Sequence, residues 1–273
     1  MPSFTLPSFG LPAFALLAAV VVSSSGCAQD TEELRAIAAR PADAVAAPLG
    51  AKYGPAGPPL GLPPVADPEL APYGSGRLGP WEDYELTLST PEQFADVLAA
   101  NGLLVVGDSI GSAVSRECAA VVGTRHGLPI AVNTWPSRPT APAADWIVEN
   151  AELIPDRGIV VVSGANDIFD PDGWWRQVER VVDAADGKPV YWLTVHVDRW
   201  ALPDEVRAAD RRNSAWVNDQ LRWLAERHPG LVLVEWDAAL TPDAAATLLD
   251  DGVHPSPAGI DTWCGQVTSA MGL

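Results

Sequence analysis

Leu103-Leu104-Val105-Val106-Gly107-Asp108-Ser109-Ile110-Gly111 is the stretch on which the reading of this chain turns. Four consecutive apolar residues without polar alternation fit a strand buried on both faces. Gly107-Asp108 ends the run and a helical stretch follows over 112–125, so Ser109 falls at a strand-to-helix turn. The start of a helix offers unpaired N–H groups to an anion. A serine there stands exposed at the edge of a sheet.

The alternation continues outward from that point. Apolar, β-rich runs occur at 103–107, 130–134, 159–163, 190–195 and 231–236. Helical stretches fall at 112–125, 144–153, 173–185, 208–227 and 256–271, and Thr90-Pro91 supplies an N-cap and first-turn proline for a short helix through Ala100. Five continuous apolar strands separated by helices predict an α/β domain over 90–273, with a parallel sheet covered on both faces. In such a sheet the chemistry gathers just beyond the carboxyl ends of the strands.

Upstream of the domain the composition changes. Between Pro41 and Pro80 there are 10 Pro and 7 Gly, a composition unable to bury a core, so residues 28–89 read as a linker. The alternative for 81–88 is a loop wrapped on the domain. Leu11 to Val22 is an apolar run before Ser23-Ser24-Ser25-Gly26-Cys27, and the first charged residue is Asp30. This reads as a secretory signal over 1–27, with an uncleaved anchor as the alternative. Gly26-Cys27 also resembles the end of a bacterial lipobox, which would make Cys27 a lipid attachment point.

Charge narrows the partners. A formal net charge of -18 with 17 Lys and Arg, and no basic run, argues against nucleic acid. Four scattered histidines without a Cys/His cluster argue against a metal site, and nothing calls for a cofactor. His126 and His228 sit at helix ends and read as surface or capping residues.

Three groups follow strands one, three and five: Gly107-Asp108-Ser109, Gly164-Ala165-Asn166-Asp167 and Asp251-Gly252-Val253-His254. A serine hydroxyl is a weak nucleophile until a base takes its proton, and that base needs an acid to fix its tautomer. Ser109, His254 and Asp251 supply the three roles. Gly107-x-Ser109-x-Gly111 also fits the nucleophile elbow of α/β-hydrolases. That fold places several strands before the elbow and separates its Asp and His widely, which this chain does not.

The three groups resemble the first, third and fifth sequence blocks of the SGNH (GDSL-like) hydrolases, over roughly residues 98 to 273. The resemblance implies a flavodoxin-like three-layer fold, with a five-stranded sheet of order 2-1-3-4-5. It also implies attack by Ser109 on an acyl carbon, with the Ser109 backbone N–H and the Asn166 side-chain amide stabilising the oxyanion. The second block of the family supplies a glycine N–H, whereas this chain reads Asn133-Thr134-Trp135-Pro136-Ser137-Arg138. Ser137 or Arg138 can supply the backbone donor; Pro136 cannot. Asp108, Trp135, Arg138 and His196 are candidates for substrate contact, as are Trp174, Trp175 and Trp200 for stacking on sugars. His196 with Asp198 is a candidate second acid/base pair, or the rim of the cleft.

A looser resemblance links the second block, 213–218 and 234–237 to SGNH domains of membrane O-acyltransferases that decorate cell-wall polymers. The expectation is an exported serine esterase acting on an O-acylated carbohydrate or lipid ester. The alternatives are acyl transfer to a cell-wall sugar and a catalytically inactive ligand-binding lipoprotein. In the implied topology the first and last helices are neighbours on one face, which predicts a Cys118–Cys264 disulfide in an exported protein.

Overall fold

The computed structural model describes residues 73–273. The signal segment, Cys27 and the linker as far as residue 72 lie outside the described residues.

The sheet has six strands: β1 (Thr87–Leu88), β2 (Leu103–Gly107), β3 (Ile130–Thr134), β4 (Ile159–Val162), β5 (Val190–Leu193) and β6 (Leu231–Val234). Their order is β1-β3-β2-β4-β5-β6. The last five run parallel in the expected 2-1-3-4-5 arrangement. The sixth is an addition: β1 pairs antiparallel with β3 through Thr87–Thr134 and Leu88–Asn133. Two residues long and exposed, it carries no hydrophobic period that would announce it. Every residue of β2, β4 and β5 is buried, as strands covered on both faces require.

Helices α1 (Pro91–Ala100), α2 (Ser109–His126), α3 (Thr140–Glu149), α4 (Trp175–Ala184), α5 (Asp204–Ala225), α6 (Trp236–Ala239), α7 (Pro242–Leu248) and α8 (Pro257–Ala270) complete the layers. Helix α1 opens with a full capping box: Thr90 Oγ1 accepts from Gln93 N, and Gln93 Oε1 accepts from Thr90 N. Helices α3 and α4 pack together, as do α4 and α5, while α2 and α8 pair with each other. Right-handed crossovers produce this division.

The α2–α8 contact contains the Cys118–Cys264 disulfide, with Cα atoms 5.6 Å apart and both residues buried. Trp192, Trp236 and Trp263 are among the largest fully buried side chains. His228, expected at the surface, is buried with Glu179 oxygen 3.8 Å from its ring, because the end of α5 turns inward toward α4.

Among the described residues the packing extends upstream of Thr90 as far as Tyr73. Tyr73 and Ser75 are buried, and their carbonyls accept from Arg212 Nη2 (2.6 Å) and Arg199 Nη2 (2.7 Å). Asn213 Nδ2 adds bonds to Tyr73 O and Ser75 Oγ. Backbone carbonyls do the docking, so a segment poor in apolar residues attaches without contributing much core.

In the chain-entropy account, a cross-link between residues 146 apart in sequence stabilises by about 5 kcal/mol. Replacing both cysteines by alanine is expected to lower the unfolding free energy by about 3–5 kcal/mol in urea titrations. Reductant should shift the wild type alone.

Candidate active site

Asp108 caps α2 by accepting from Ile110 N (2.9 Å), and its own N–H donates to Val162 O across the sheet. With the cap on the third N–H, Ser109 starts the helix with its backbone N–H unclaimed. Burial pushes the Asp108 carboxyl up to about 6, although the Ile110 N–H and the charges of His254 and Arg138 pull the other way.

The final loop brings the other groups to Ser109. Asp251 Oδ1 accepts from Val253 N (2.9 Å) and His254 N (2.8 Å), folding the loop around its own carboxylate. Asp251 Oδ2 lies 2.8 Å from His254 Nδ1, and His254 Nε2 lies 2.9 Å from Ser109 Oγ. Partial burial works to raise the Asp251 pKa, but its bonds to the His254 ring and to the backbone of His254 and Val253 outweigh this and hold it below the usual carboxylate range. An ionised Asp251 requires the hydrogen on Nδ1, which leaves Nε2 to accept from the serine hydroxyl.

Two further groups face the same point. Asn166 Nδ2 makes long bonds of 3.3 Å to Asp108 Oδ2 and to Arg138 O. Its neighbour Asp167 is clamped by Thr140 through N (3.0 Å) and Oγ1 (2.6 Å), and burial raises its pKa to about 7. Ser137 takes φ +60° in a turn closed by Arg138 N to Trp135 O, with Pro136 at the second position. A left-handed third position after proline is the type II pattern, which normally asks for glycine. The chain thus keeps the conformation a glycine would give while carrying a serine. Ser109, Ser137, Asn166, Asp251 and His254 all line one cleft of about 450 Å³.

The expected substrate contacts lie elsewhere. Arg138 is buried: Nη1 donates to Asn133 Oδ1 (2.7 Å), and Nη2 to Gly107 O (2.8 Å) and Asn133 O (2.9 Å). It ties the ends of β2 and β3 together and has no reach into the cleft. Asp108 is likewise sealed beneath Ser109. Trp135 Nε1 donates to Tyr84 O and its ring meets Trp81 edge-on at 4.7 Å, so it braces the cleft wall from behind. His196 does not line the cleft; burial lowers its pKa against the charges of Asp198 and Asp237. Asp198 is held by Arg207 and Arg211, which removes it as an acid/base partner. Trp174 is buried with Nε1 on Thr140, Trp175 packs against Trp223, and Trp200 lies beside Gly252. Among the described residues no group of His, Cys, Asp and Glu is arranged to hold a metal ion.

Two contributions to the site go beyond the sequence reading, which offered a loop wrapped on the domain only as the alternative for 81–88. The segment through Arg77, Asp83 and Tyr84 forms one wall of the cleft. Loop 198–200 grips the final loop through Asp198 N to Gly252 O (2.9 Å) and Trp200 N to Asp251 O (3.1 Å). Loop 198–200 acts through main-chain atoms, which any residue carries.

No family model and no curated protein matches the sequence. Solved structures do. A GDSL-like lipase from Bacteroides thetaiotaomicron superposes with TM-score 0.52 at 14% identity, covering 68% of this chain and 91% of that one. An α/β hydrolase enzyme from the metagenome of Lake Arreo gives 0.52 at 22%, covering 63% and 94%. A protein assigned to the SGNH hydrolases in Slackia heliotrinireducens gives 0.51 at 18%, covering 62% and 97%. The chain has the three-layer α/β fold of the SGNH hydrolase structures.

Gly252 has φ +89°, and a Cβ there would land on the Asp198 carbonyl and come within 2.7 Å of Trp200 Nε1. Gly252→Ala is therefore expected to push the final loop off its support while leaving the sheet folded. Displacing His254 by an ångström should slow labelling of Ser109 by a fluorophosphonate probe about 100-fold. Wild-type labelling rates in this variant would show that the grip is unimportant.

Proposed function

We propose that this protein is a serine-dependent hydrolase of carboxylic acyl esters working through an acyl-enzyme. The observation that carries the reading is the unbroken line from Ser109 Oγ to His254 Nε2 (2.9 Å) and from His254 Nδ1 to Asp251 Oδ2 (2.8 Å). Ser109 Oγ attacks the acyl carbon as its proton passes to His254 Nε2, and the carbonyl oxygen becomes an oxyanion. The intermediate collapses by breaking the ester C–O bond, and His254 returns the proton to the departing alcohol. Water repeats the sequence to release the acid and restore Ser109. Asp251 stays ionised throughout and stabilises the imidazolium.

The oxyanion donors in this reading are the backbone N–H groups of Ser109 and Ser137 and the Asn166 amide. The long 3.3 Å bonds of Asn166 leave it free to exchange a weak partner for a charged one. The left-handed turn at Ser137 supports an active site over an inactive binder, since a backbone donor depends on φ and not on the side chain. The lipase name of the similar Bacteroides thetaiotaomicron fold supports the same reaction class. The exposed Tyr84 ring and the polar groups Arg77 and Asp83 in the cleft favour an O-acylated carbohydrate over a long-chain lipid. Export, with lipid attachment through Cys27, belongs to the same proposal; a disulfide suits an oxidising compartment.

Wild-type protein mixed with p-nitrophenyl acetate is expected to show a burst followed by turnover, and Ser109→Ala neither, with an unchanged circular dichroism spectrum. An S109A protein that retains turnover would remove the nucleophile from the mechanism.

Asn166→Ala should lower kcat about 100- to 1,000-fold, the usual cost of one oxyanion donor, with little change in KM. A change confined to KM would make Asn166 a residue that merely holds the substrate.

A further inference from the structure

Arg77 and Arg199 are the two arginines that line the cleft, and their situations differ. Arg199 is spent on the fold: Nε and Nη2 form a two-pronged pair with buried Asp210 at 2.8 and 2.6 Å, and Nη2 also reaches Ser75 O. Its guanidinium lies over the Phe169 ring at 4.9 Å. Arg77 makes no hydrogen bond or ion pair with any described residue, and Asp83 on the same wall is beyond ion-pair distance. Elsewhere Arg180, Arg207, Arg211 and Arg222 have carboxylate partners, while Arg116 and Arg125, exposed and unpaired among the described residues, lie outside the cleft lining.

The wall carrying Arg77 is fixed at both ends. Tyr73 and Ser75 are bound by Arg212, Asn213 and Arg199, and Asn213 is fully buried. At the other end the Tyr84 carbonyl accepts from Trp135 Nε1 at 2.7 Å, and Trp81 packs against the Trp135 ring. The backbone between these anchors has a set position over the cleft, so Arg77 has only its own side chain to order on meeting a ligand. A cation on a fixed backbone, with no partner among the described residues and in the same cleft as Ser109, is a recognition group for an anion.

We propose that Arg77 is a specificity residue that binds a carboxylate carried by the ester substrate, away from the scissile bond. This rests on the esterase reading of the same cleft. A single carboxylate fits better than a phosphate, because the chain's net charge of -18 repels a dianion more strongly. Beyond about 8 Å that repulsion is screened at physiological ionic strength, so the contact with Arg77 decides. The carboxylate can belong to the acyl half, as in a succinyl half-ester, or to the alcohol half, as in an O-acetylated uronic acid sugar.

Two matched pairs of substrates test the proposal and separate the sources. They are mono-p-nitrophenyl succinate against p-nitrophenyl butyrate, and O-acetylated glucuronate oligosaccharide against O-acetylated xylo-oligosaccharide. Within one pair, the wild-type preference in kcat/KM for the charged member should fall about three- to tenfold in Arg77→Ala. Arg77→Lys should keep part of it, and added salt should weaken it in the wild type only. The pair that responds identifies the half bearing the charge. Preference ratios unchanged in both pairs would overturn the proposal while leaving the esterase reading intact. If no ester is turned over, the esterase reading falls separately. Calorimetric binding of succinate and of glucuronate oligosaccharide to Ser109→Ala, with and without Arg77→Ala, then decides: lost affinity supports Arg77, and equal or absent binding overturns it.

Discussion

The site depends on a guanidinium that never meets solvent. Arg138 is only 2% exposed, and its bonds to Gly107 O, Asn133 O and Asn133 Oδ1 join the carboxyl ends of β2 and β3. Its main chain continues the work: the residue before it holds the left-handed turn, and its carbonyl accepts from Asn166. One residue thereby relates the starts of three separate loops. Burial lowers its pKa to about 10, and the charge of Asp108 resists that fall. The two groups answer each other beneath Ser109 without a direct ion pair. Removing one member of such an arrangement leaves a buried charge uncompensated, which is costly in a poorly polarisable interior.

A second support serves the rim. The loop after β5 holds the turn bearing Asp251 and His254 with two main-chain N–H groups, while Arg199 between them extends its side chain to the N-terminal wall. The position of His254 and the position of the wall therefore rest on one short segment. Arg207 and Arg211 secure that segment through Asp198. His196 and Asp198 look like chemistry in the sequence because their residue types match an acid/base pair, yet arginines hold Asp198 and His196 does not line the cleft.

The buried carboxylates show how environment separates like groups. Asp251, partly exposed and hydrogen-bonded to its histidine, is held low; Asp108 and Asp167, sealed from water, are pushed up to about 6 and about 7. Only the first is suited to stay ionised and orient an imidazole. Asp167 instead locks Thr140 at the start of α3 and so sets the backbone beside Asn166.

The strand order, and the Cys118–Cys264 pairing argued from it, came with the family resemblance; sequence alone determined the five parallel strands, their helices and the three polar groups beyond the strand ends. These follow from short-range signals: apolar runs of strand length, a cap at Thr90, and a topology with few solutions once the strands are parallel. The small residues around Ser109, Asn166 and Asp251 were legible because each interrupts an apolar run where a parallel sheet ends. Tertiary structure alone decided the sixth strand, the docking of 73–84 as a cleft wall, and the different fates of Arg77, Arg138 and Arg199. The physical reason is that those outcomes are made by backbone carbonyls and by which carboxylate or carbonyl lies across a gap of many residues. Three arginines are identical in sequence terms; whether one meets Asn133, Asp210 or an open cleft is settled only when distant segments come together.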